Sequence, residues 1–324
     1  MDAEAAAVAD RYARFARDEA PGRSELYGAW AQLVASDRDV QEVLARIAPQ
    51  RRQPPLVFAV TRLLGVGEPD AATWRDWLLA HADAVVAECG RRSLQTNEPL
   101  RCAALLPALS LIEGPIALLE VGASAGLCLY PDRYSYRYRG AGAEVVLDPP
   151  DGPSAVVLEC EVRSERMPAV RSPEIVWRAG IDLAPLDPRE PDTEAWLTGL
   201  VWPGETGRAE RVRSALAIAA ADPALRVAGD GVDLVVEVAS AAPRDATLVV
   251  QTPGVLAHIP WVRRGQLISA ARAAGRWITL DAPSLHDGWG ESDLADGWPG
   301  GFALALDGRV LAAADPLGGW IALR

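Results

Sequence analysis

The sequence contains no lysine, so all 32 of its basic side chains are arginines. Arginine stays protonated in proteins, so it cannot form a Schiff base, serve as the base of a serine–lysine dyad or replace the lysine of a Walker A loop. The absence therefore excludes lysine Schiff-base chemistry and phosphate binding by a standard P-loop, before any motif is considered.

Cysteine and histidine are also scarce, and neither is arranged as a metal or redox motif. The four cysteines are scattered without a C-x-x-C pair, and His81, His258 and His286 lie far apart without an H-x-x-x-H spacing. Each cysteine has apolar neighbours in the sequence, which is typical of buried reduced thiols. We therefore expect free thiols and no bound metal.

The sequence lacks an excess of positive charge and lacks long apolar runs. Its formal net charge is −12 at pH 7, whereas nucleic-acid binders and proteins on anionic membranes need a positive surface. No apolar run reaches the roughly 18 residues of a membrane span, and the acidic start Met1–Glu4 is unlike a signal peptide. We expect a cytoplasmic protein whose partner is a small molecule, not a membrane or a nucleic-acid polymer; the oligomeric state stays open.

What is present is an organisation in two parts. Residues 1–112 show apolar residues at helical spacing, interrupted by turns that contain proline and glycine. From residue 113 to 324, short apolar runs typical of strands alternate with helical stretches, which is the pattern of a sheet covered by helices. The sequence predicts an all-helical N-terminal region, 1–112, followed by an α/β domain, 113–324.

The α/β part is organised around Ile116–Gly126. Its apolar start and Glu120 predict a buried parallel strand, and Gly122–Gly126 predicts a tight loop that lets a ligand approach the backbone. Leu127–Leu129 is expected to begin a helix whose free N–H groups face that ligand. The stretch therefore predicts a ligand-binding loop at the carboxyl end of the first strand.

Two hypotheses compete for this loop. Gly122–Gly126 satisfies the G-x-S-x-G pattern, in which Ser124 is the nucleophile of a hydrolase. The longer pattern, with Glu120 before the small residues, resembles motif I of the Rossmann-like S-adenosylmethionine (SAM) methyltransferases, with Ser124 in place of the middle glycine. The loop alone does not separate the two.

A hairpin is predicted near the end of the chain. Phe302–Leu306 and Val310–Ala313 are strand-like, and Asp307-Gly308 between them is a strong turn signal. The order and spacing of the elements are similar to those of the methyltransferase-type Rossmann fold, whose last two strands form such a hairpin. The predicted fold class is α/β: a SAM-methyltransferase-like Rossmann sheet with a closing antiparallel hairpin, preceded by the all-helical region.

Several blocks along the chain resemble DUF2332, an uncharacterised actinobacterial family. The blocks are Tyr12–Ala20, Leu94–Glu98, Arg101–Leu109, Leu118–Leu127, Asp132–Tyr134, Trp177–Leu183 and Ala314–Pro316. The resemblance spans nearly the whole chain, but it implies little about function. The family's likeness to SAM methyltransferases concerns the fold, and a fold does not determine an activity.

The resemblance to motif I implies a set of cofactor contacts. Gly122, Ser124 and Gly126 would form the close turn, and Glu120 would face the amino group of SAM through water. A second acid should bind the ribose hydroxyls from the end of the second strand. If the strand-like run 155–162 is that strand, Glu159 is the candidate, with Glu161 as the alternative; both could equally be solvent-facing acids.

Other polar residues lie where a substrate could be bound. Gln95, Asn97 and Arg101 precede the first strand and could bind a carboxylate through the arginine fork, or could cap a helix. The remaining candidates are Asp132, Arg133, Tyr134, Arg178 and Asp182. These residues could line the substrate pocket, belong to a polar loop or form an internal salt bridge.

The function favoured by this pattern is SAM binding with methyl transfer to a small molecule. His258, which follows a predicted strand end, is the candidate for a general base. The first alternative is a serine hydrolase with Ser124, an acid and a later histidine, His258 or His286. The second alternative is a ligand-binding protein without catalysis on the same fold.

Overall fold

The computed structural model describes residues 2–140, 142–286 and 297–324, and the chain forms two compact units. The first unit consists of Met1–Thr96 and Glu190–Arg213, and the second of Asn97–Arg189 and Ser214–Arg324. None of the described helices is long and apolar enough to cross a lipid bilayer.

The described residues contain eleven α-helices. They are α1 (Asp2–Asp18), α2 (Glu25–Ser36), α3 (Arg38–Ala45), α4 (Pro54–Leu63), α5 (Ala71–Ala80), α6 (Ala82–Arg91), α7 (Arg101–Leu109), α8 (Pro191–Gly199), α9 (Arg208–Ala221), α10 (Gly231–Ala239) and α11 (Trp261–Ala274). Before residue 113 every described regular element is helical, which confirms that part of the predicted fold.

The first unit is held together by aromatic packing that includes its distant second segment. The ring of Trp202 lies 5.2 Å from that of Phe15 and 5.7 Å from that of Tyr27, centroid to centroid. Arg62 donates from Nη1 to the main-chain oxygen of Val201 at 2.8 Å. The segment that contains α8 therefore completes the core built by α1, α2 and α4.

The second unit is built on one sheet of eleven strands in the described residues. They are β1 (Pro115–Val121), β2 (Ser135–Gly140), β3 (Ala143–Leu147), β4 (Val157–Val162), β5 (Glu174–Asp182), β6 (Leu225–Ala228), β7 (Thr247–Pro253), β8 (Arg276–Asp281), β9 (Phe302–Leu306), β10 (Arg309–Ala314) and β11 (Trp320–Leu323). Their order across the sheet is β3-β2-β4-β11-β10-β9-β8-β7-β1-β5-β6.

Five neighbouring strands determine where a ligand can bind. Strands β6, β5, β1, β7 and β8 are all parallel, and β1 lies in the middle of them. The chain runs from β1 outward to β5 and β6, then returns to β7 and β8 on the other side. In open α/β sheets, ligands bind outside the carboxyl ends of the strands at the point where the order reverses. Here that point lies between β1 and β7.

The central strands are buried because helices and loops cover both of their faces. On one face Leu119, Val121, Val250 and Trp277 pack in a hydrophobic cluster with residues of α10 and α11. On the other face lie α7, which packs against β4, β8 and β9, and the segment that follows β1. Glu120 and Gln251 belong to this second face and are the polar residues at the ends of their strands.

The prediction that a helix begins at Leu127 is wrong. Leu127–Leu129 forms a single 3-10 turn, a second 3-10 turn covers Pro131–Arg133, and β2 follows. Gly126 is left-handed (φ +76°), and Pro131 has no N–H for a helical hydrogen bond. The alternating tyrosines of β2 favour a strand, so the described segment 127–140 supplies no α-helix N-terminus to the glycine-rich loop.

The predicted hairpin is confirmed. Strands β9 and β10 pair antiparallel around Asp307 and Gly308, which both have positive φ (+53° and +88°), as a type I′ turn requires. The described residues therefore form a mixed α/β unit with a mostly parallel sheet and a closing hairpin.

Candidate ligand site at the carboxyl ends of the central strands

The loop after β1 turns sharply at alternate residues. Gly122, Ser124 and Gly126 all have positive φ, at +80°, +51° and +76°. A Cβ at Gly122 would lie 2.6 Å from the Val255 side chain, so glycine is needed there for packing against the segment after β7. The loop after β1 therefore contacts the segment after β7. This contact crosses the point between β1 and β7 where the strand order reverses.

Two side chains hold this loop in place. Asn97 donates from Nδ2 to Ser124 Oγ at 2.6 Å and accepts from the Ala125 N–H at 3.0 Å through Oδ1. Asp182, at the end of β5, accepts from the Ser124 N–H at 2.8 Å and from the Ala184 N–H at 2.9 Å. Asn97 and Asp182, which are predicted substrate residues, each contact the loop directly.

Glu120 and Gln251 form a buried polar pair beneath the loop. They face each other in the register of β1 and β7, and are 3 % and 0 % exposed. Gln251 donates from Nε2 to the Cys128 main-chain oxygen at 3.0 Å, while Glu120 Oε2 and Gln251 Oε1 have no partner in the described residues. Burial raises the pKa of Glu120 well above its usual value.

Arg101, on the first turn of α7, lies at the same edge of the sheet. Its Nε donates to the Pro316 main-chain oxygen at 2.9 Å, and its Nη1 donates to that of Pro253, at the end of β7, at 3.2 Å. Gly254 leaves room for the guanidinium, because a Cβ there would lie 2.9 Å from Nη2. The predicted substrate residue therefore sits against the carboxyl end of β7.

Two titratable residues lie at or after the end of β8: Asp281, which was not predicted as a site residue, and His286, a candidate histidine of the hydrolase alternative. Asp281 is fully buried, and desolvation raises its pKa to about 7, although the Arg101 guanidinium opposes this shift. His286 is buried too, and desolvation lowers its pKa to about 4, so the imidazole is neutral at pH 7. The signal for Asp281 was available, because it is an acid that ends an apolar strand, like Glu120.

Four of the predicted substrate residues contact one another or the main chain. Arg178 forms a two-pronged salt bridge with Asp132, at 2.9 and 2.7 Å, and donates to the Leu129 main-chain oxygen at 2.7 Å. Exposed Arg133 lies 3.4 Å from Asp132, which is mostly buried, and Tyr134 is buried with its hydroxyl donating to the Leu127 main-chain oxygen. These contacts fix the segment after the loop.

Glu159 and Glu161 do not lie near the loop. Both are on β4, which five strands separate from β1. Their side chains are 65 % and 59 % exposed and pair with Arg139 and Arg163. The neighbour of β1 is β5, not β4, so the premise that placed Glu159 at the end of the second strand is wrong. Asp182 occupies that position.

The loop contacts described above include neither His258 nor Gln95. His258 is exposed on the 3-10 turn Leu256–His258 after β7, and Gln95 belongs to the first unit. Within the described chain, the Ser124 hydroxyl is hydrogen-bonded to Asn97 and to no histidine.

A shallow recess lies behind the loop. It is lined by the loop residues 123–126 and by Leu129, Tyr130, Gly180, Pro188, Ala224 and Arg226. Its volume is about 10 Å³, which is room for about one water molecule. A nucleoside-sized ligand would therefore have to lie outside this recess, along the strand ends.

The chain matches a known protein family along most of its length. The family model described as "Uncharacterized protein conserved in bacteria (DUF2332)" covers residues 9–322. No curated protein and no solved structure matches the chain.

Proposed function

We propose that this chain, which belongs to the DUF2332 family of bacterial proteins, binds S-adenosylmethionine and transfers its methyl group to a small molecule. One observation carries the proposal: the Gly122–Gly126 loop lies where the strand order reverses, beside an acid that ends the adjacent strand. Counted along the parallel strands, β6-β5-β1-β7-β8 is the order 3-2-1-4-5 of a Rossmann sheet. We therefore assign a methyltransferase-like fold to the second unit.

The chemistry of the residues fits the cofactor. Asp182 ends the second strand of that order, and a carboxylate there suits the ribose hydroxyls. Glu120 has a buried oxygen that finds no hydrogen-bond partner among the described residues and can accept from an ammonium group, and Arg101 can bind a carboxylate. Gly122 is packed against Val255, so we assign the loop contacts to Ser124 and Gly126.

In the proposed reaction, SAM supplies an electrophilic methyl group on its sulfonium. The loop, Asp182 and Arg101 hold the cofactor in one orientation, since methyl transfer depends chiefly on alignment with the acceptor. His258, exposed after β7, is the side chain that we assign to take a proton from the acceptor.

Titration calorimetry with SAM and S-adenosylhomocysteine tests the binding step. We expect Asp182→Asn to weaken binding by roughly tenfold or more, because a charge-assisted hydrogen bond to the ribose is lost. Glu159→Gln is the matched control, because this exposed acid lies on β4, and it should leave the affinity unchanged. If neither SAM nor S-adenosylhomocysteine binds at concentrations up to millimolar, the proposal is wrong.

A serine hydrolase is the second candidate. The observation that favours it is the positive φ of Ser124, because the nucleophile of a G-x-S-x-G elbow sits on a strained turn. A fluorophosphonate probe should then label Ser124 and fail to label a Ser124→Ala variant. An unmodified Ser124 would remove this candidate.

Binding without catalysis is the third candidate. The observation that favours it is that hydrogen bonds from Asn97 and to Asp182 hold the loop in one conformation. Native mass spectrometry of the purified protein would identify a retained adenosyl ligand. Retention without methylation across a panel of small acceptors would favour this candidate over the methyltransferase.

A further inference from the structure

The guanidinium of Arg101 is fixed by main-chain oxygens from two separate segments. Pro316, after β10, accepts from Nε, and Pro253, at the end of β7, accepts from Nη1. The absence of a side chain at Gly254, whose φ is +74°, lets Nη2 lie against the backbone. The orientation of the planar group is therefore set before any ligand arrives.

In the described part of the chain, no ion pair neutralises the charge of Arg101, and Nη2 donates no hydrogen bond. The guanidinium is partly buried, where an unpaired charge is costly. An arginine held in place with N–H groups to spare matches the two oxygens of a carboxylate.

Two buried acids interact electrostatically with this charge without forming an ion pair with it. Glu120 and Asp281 both feel the positive field of Arg101, yet desolvation raises the pKa of each. An arginine usually makes a nearby acid more acidic, so burial is the stronger effect at both positions. The site thus holds the Arg101 cation together with two carboxyl groups that can be protonated, those of Glu120 and Asp281.

Asp281 is the acid whose ionisation changes near neutral pH. Its Oδ2 accepts from Thr279 Oγ1 at 3.4 Å, and Oδ1 has no partner in the described residues. The groups that face it are the main-chain N–H groups of Gly254 and Leu256, after β7, and the guanidinium of Arg101 on α7. Neutral His286, in the turn after β8, adds no charge to this neighbourhood at pH 7.

We propose that Arg101 binds the carboxylate of the ligand and that binding is accompanied by proton uptake at Asp281. A bound anion cancels the positive field that now favours ionised Asp281, so the carboxyl gains a proton. A monoanionic carboxylate suits this position better than phosphate, because the acids nearby disfavour a second negative charge. The inference refines the proposed function by naming the ligand class, and the link to SAM rests on that function.

Two adenosyl probes test the carboxylate contact. S-Adenosylhomocysteine carries a carboxylate, and 5′-methylthioadenosine does not. Calorimetry should show that Arg101→Gln weakens binding of the first by roughly ten- to a hundredfold and leaves the second unchanged. Arg163→Gln, at an exposed arginine after β4, is the matched control. Equal binding of S-adenosylhomocysteine to wild type and Arg101→Gln would overturn the inference, while the SAM proposal would stand.

The pH dependence tests the role of Asp281. We expect the affinity of wild type for S-adenosylhomocysteine to fall by up to tenfold per pH unit above pH 7, and the Asp281→Asn variant to lose this dependence. The affinity of 5′-methylthioadenosine should not follow this curve in either protein. An unchanged curve in Asp281→Asn would contradict the proton uptake.

A third arm separates failure of this inference from failure of the proposed function. If neither adenosyl probe binds, thermal unfolding is measured with sodium succinate and with sodium phosphate at constant ionic strength. A rise in Tm with succinate that Arg101→Gln abolishes would support the carboxylate site without SAM. No succinate effect, or an equal effect of phosphate, would overturn it.

Discussion

Glycine is needed at position 122 because Val255 occupies the space of a side chain. We expect Gly122→Ala to lower the free energy of unfolding by about 2–4 kcal/mol, since a Cβ would approach Val255 to 2.6 Å at a φ of +80°. Denaturant unfolding measures this change.

Gly114→Ala is the matched control for that variant. Gly114 has a similar φ of +73°, but no atom lies within 4 Å of a Cβ placed there. Its substitution should cost about 1 kcal/mol, the contribution of the left-handed backbone alone. Equal losses for the two variants would contradict the packing explanation.

Asp281 makes the stability of the protein depend on pH. Because its folded pKa, about 7, is above the usual 3.8, its contribution to stability is full below pH 3.8 and is lost as the pH rises through 7. We expect Asp281→Asn to gain roughly 2–3 kcal/mol over wild type on going from pH 5 to pH 8. Urea unfolding at both pH values measures it, and a pH-independent difference would show that Asp281 does not titrate in this range.

Chemistry at single positions was partly predictable from the sequence. Glu120 was recognised because an acid ending an apolar strand needs a partner. Asn97 and Asp182 were predicted to bind substrate, and the sequence did not show that both hydrogen-bond the loop. Glu159 was misplaced because its assignment depended on which strand is the neighbour of β1. The role of Val255 was invisible, because packing against Gly122 joins residues far apart in sequence.

At the scale of elements, position in the sheet should set local stability. Strands β1 and β7 are paired on both sides and buried on both faces, whereas β3 and β6 are the edges. We expect amide hydrogens of β1 and β7 to exchange at least roughly a hundredfold more slowly than those of β3 and β6. Hydrogen exchange with mass spectrometry tests this, and β6 protected as strongly as β1 would contradict it.

Local patterns predicted elements better than they predicted neighbours. The hairpin of β9 and β10 follows from the Asp307-Gly308 turn, and β1 follows from the short apolar run before Glu120. The prediction of a helix after the loop was wrong, because three apolar residues at Leu127–Leu129 fit a helix or a 3-10 turn equally well. The insertion of β2, β3 and β4 far from β1 depends on long-range pairing that no local pattern records.

At the scale of the whole molecule, the first unit depends on two separated segments. We expect a fragment of residues 1–96 to be poorly packed, because it lacks Trp202 and the carbonyl of Val201 that Arg62 contacts. A fragment in which a flexible linker joins 1–96 to 190–213 should regain near-ultraviolet circular dichroism and a cooperative thermal transition. A cooperative, fully packed 1–96 fragment would contradict the division into units.

The same discontinuity affects how the protein is made. A ribosome releases Met1–Thr96 first, but the segment Glu190–Arg213 that completes its core emerges only after residues 97–189. During that interval the rings of Phe15 and Tyr27 lack the indole of Trp202 that they contact in the finished unit. Nascent chains paused before residue 190 therefore expose apolar surface, and they should be the stage at which chaperones bind most strongly.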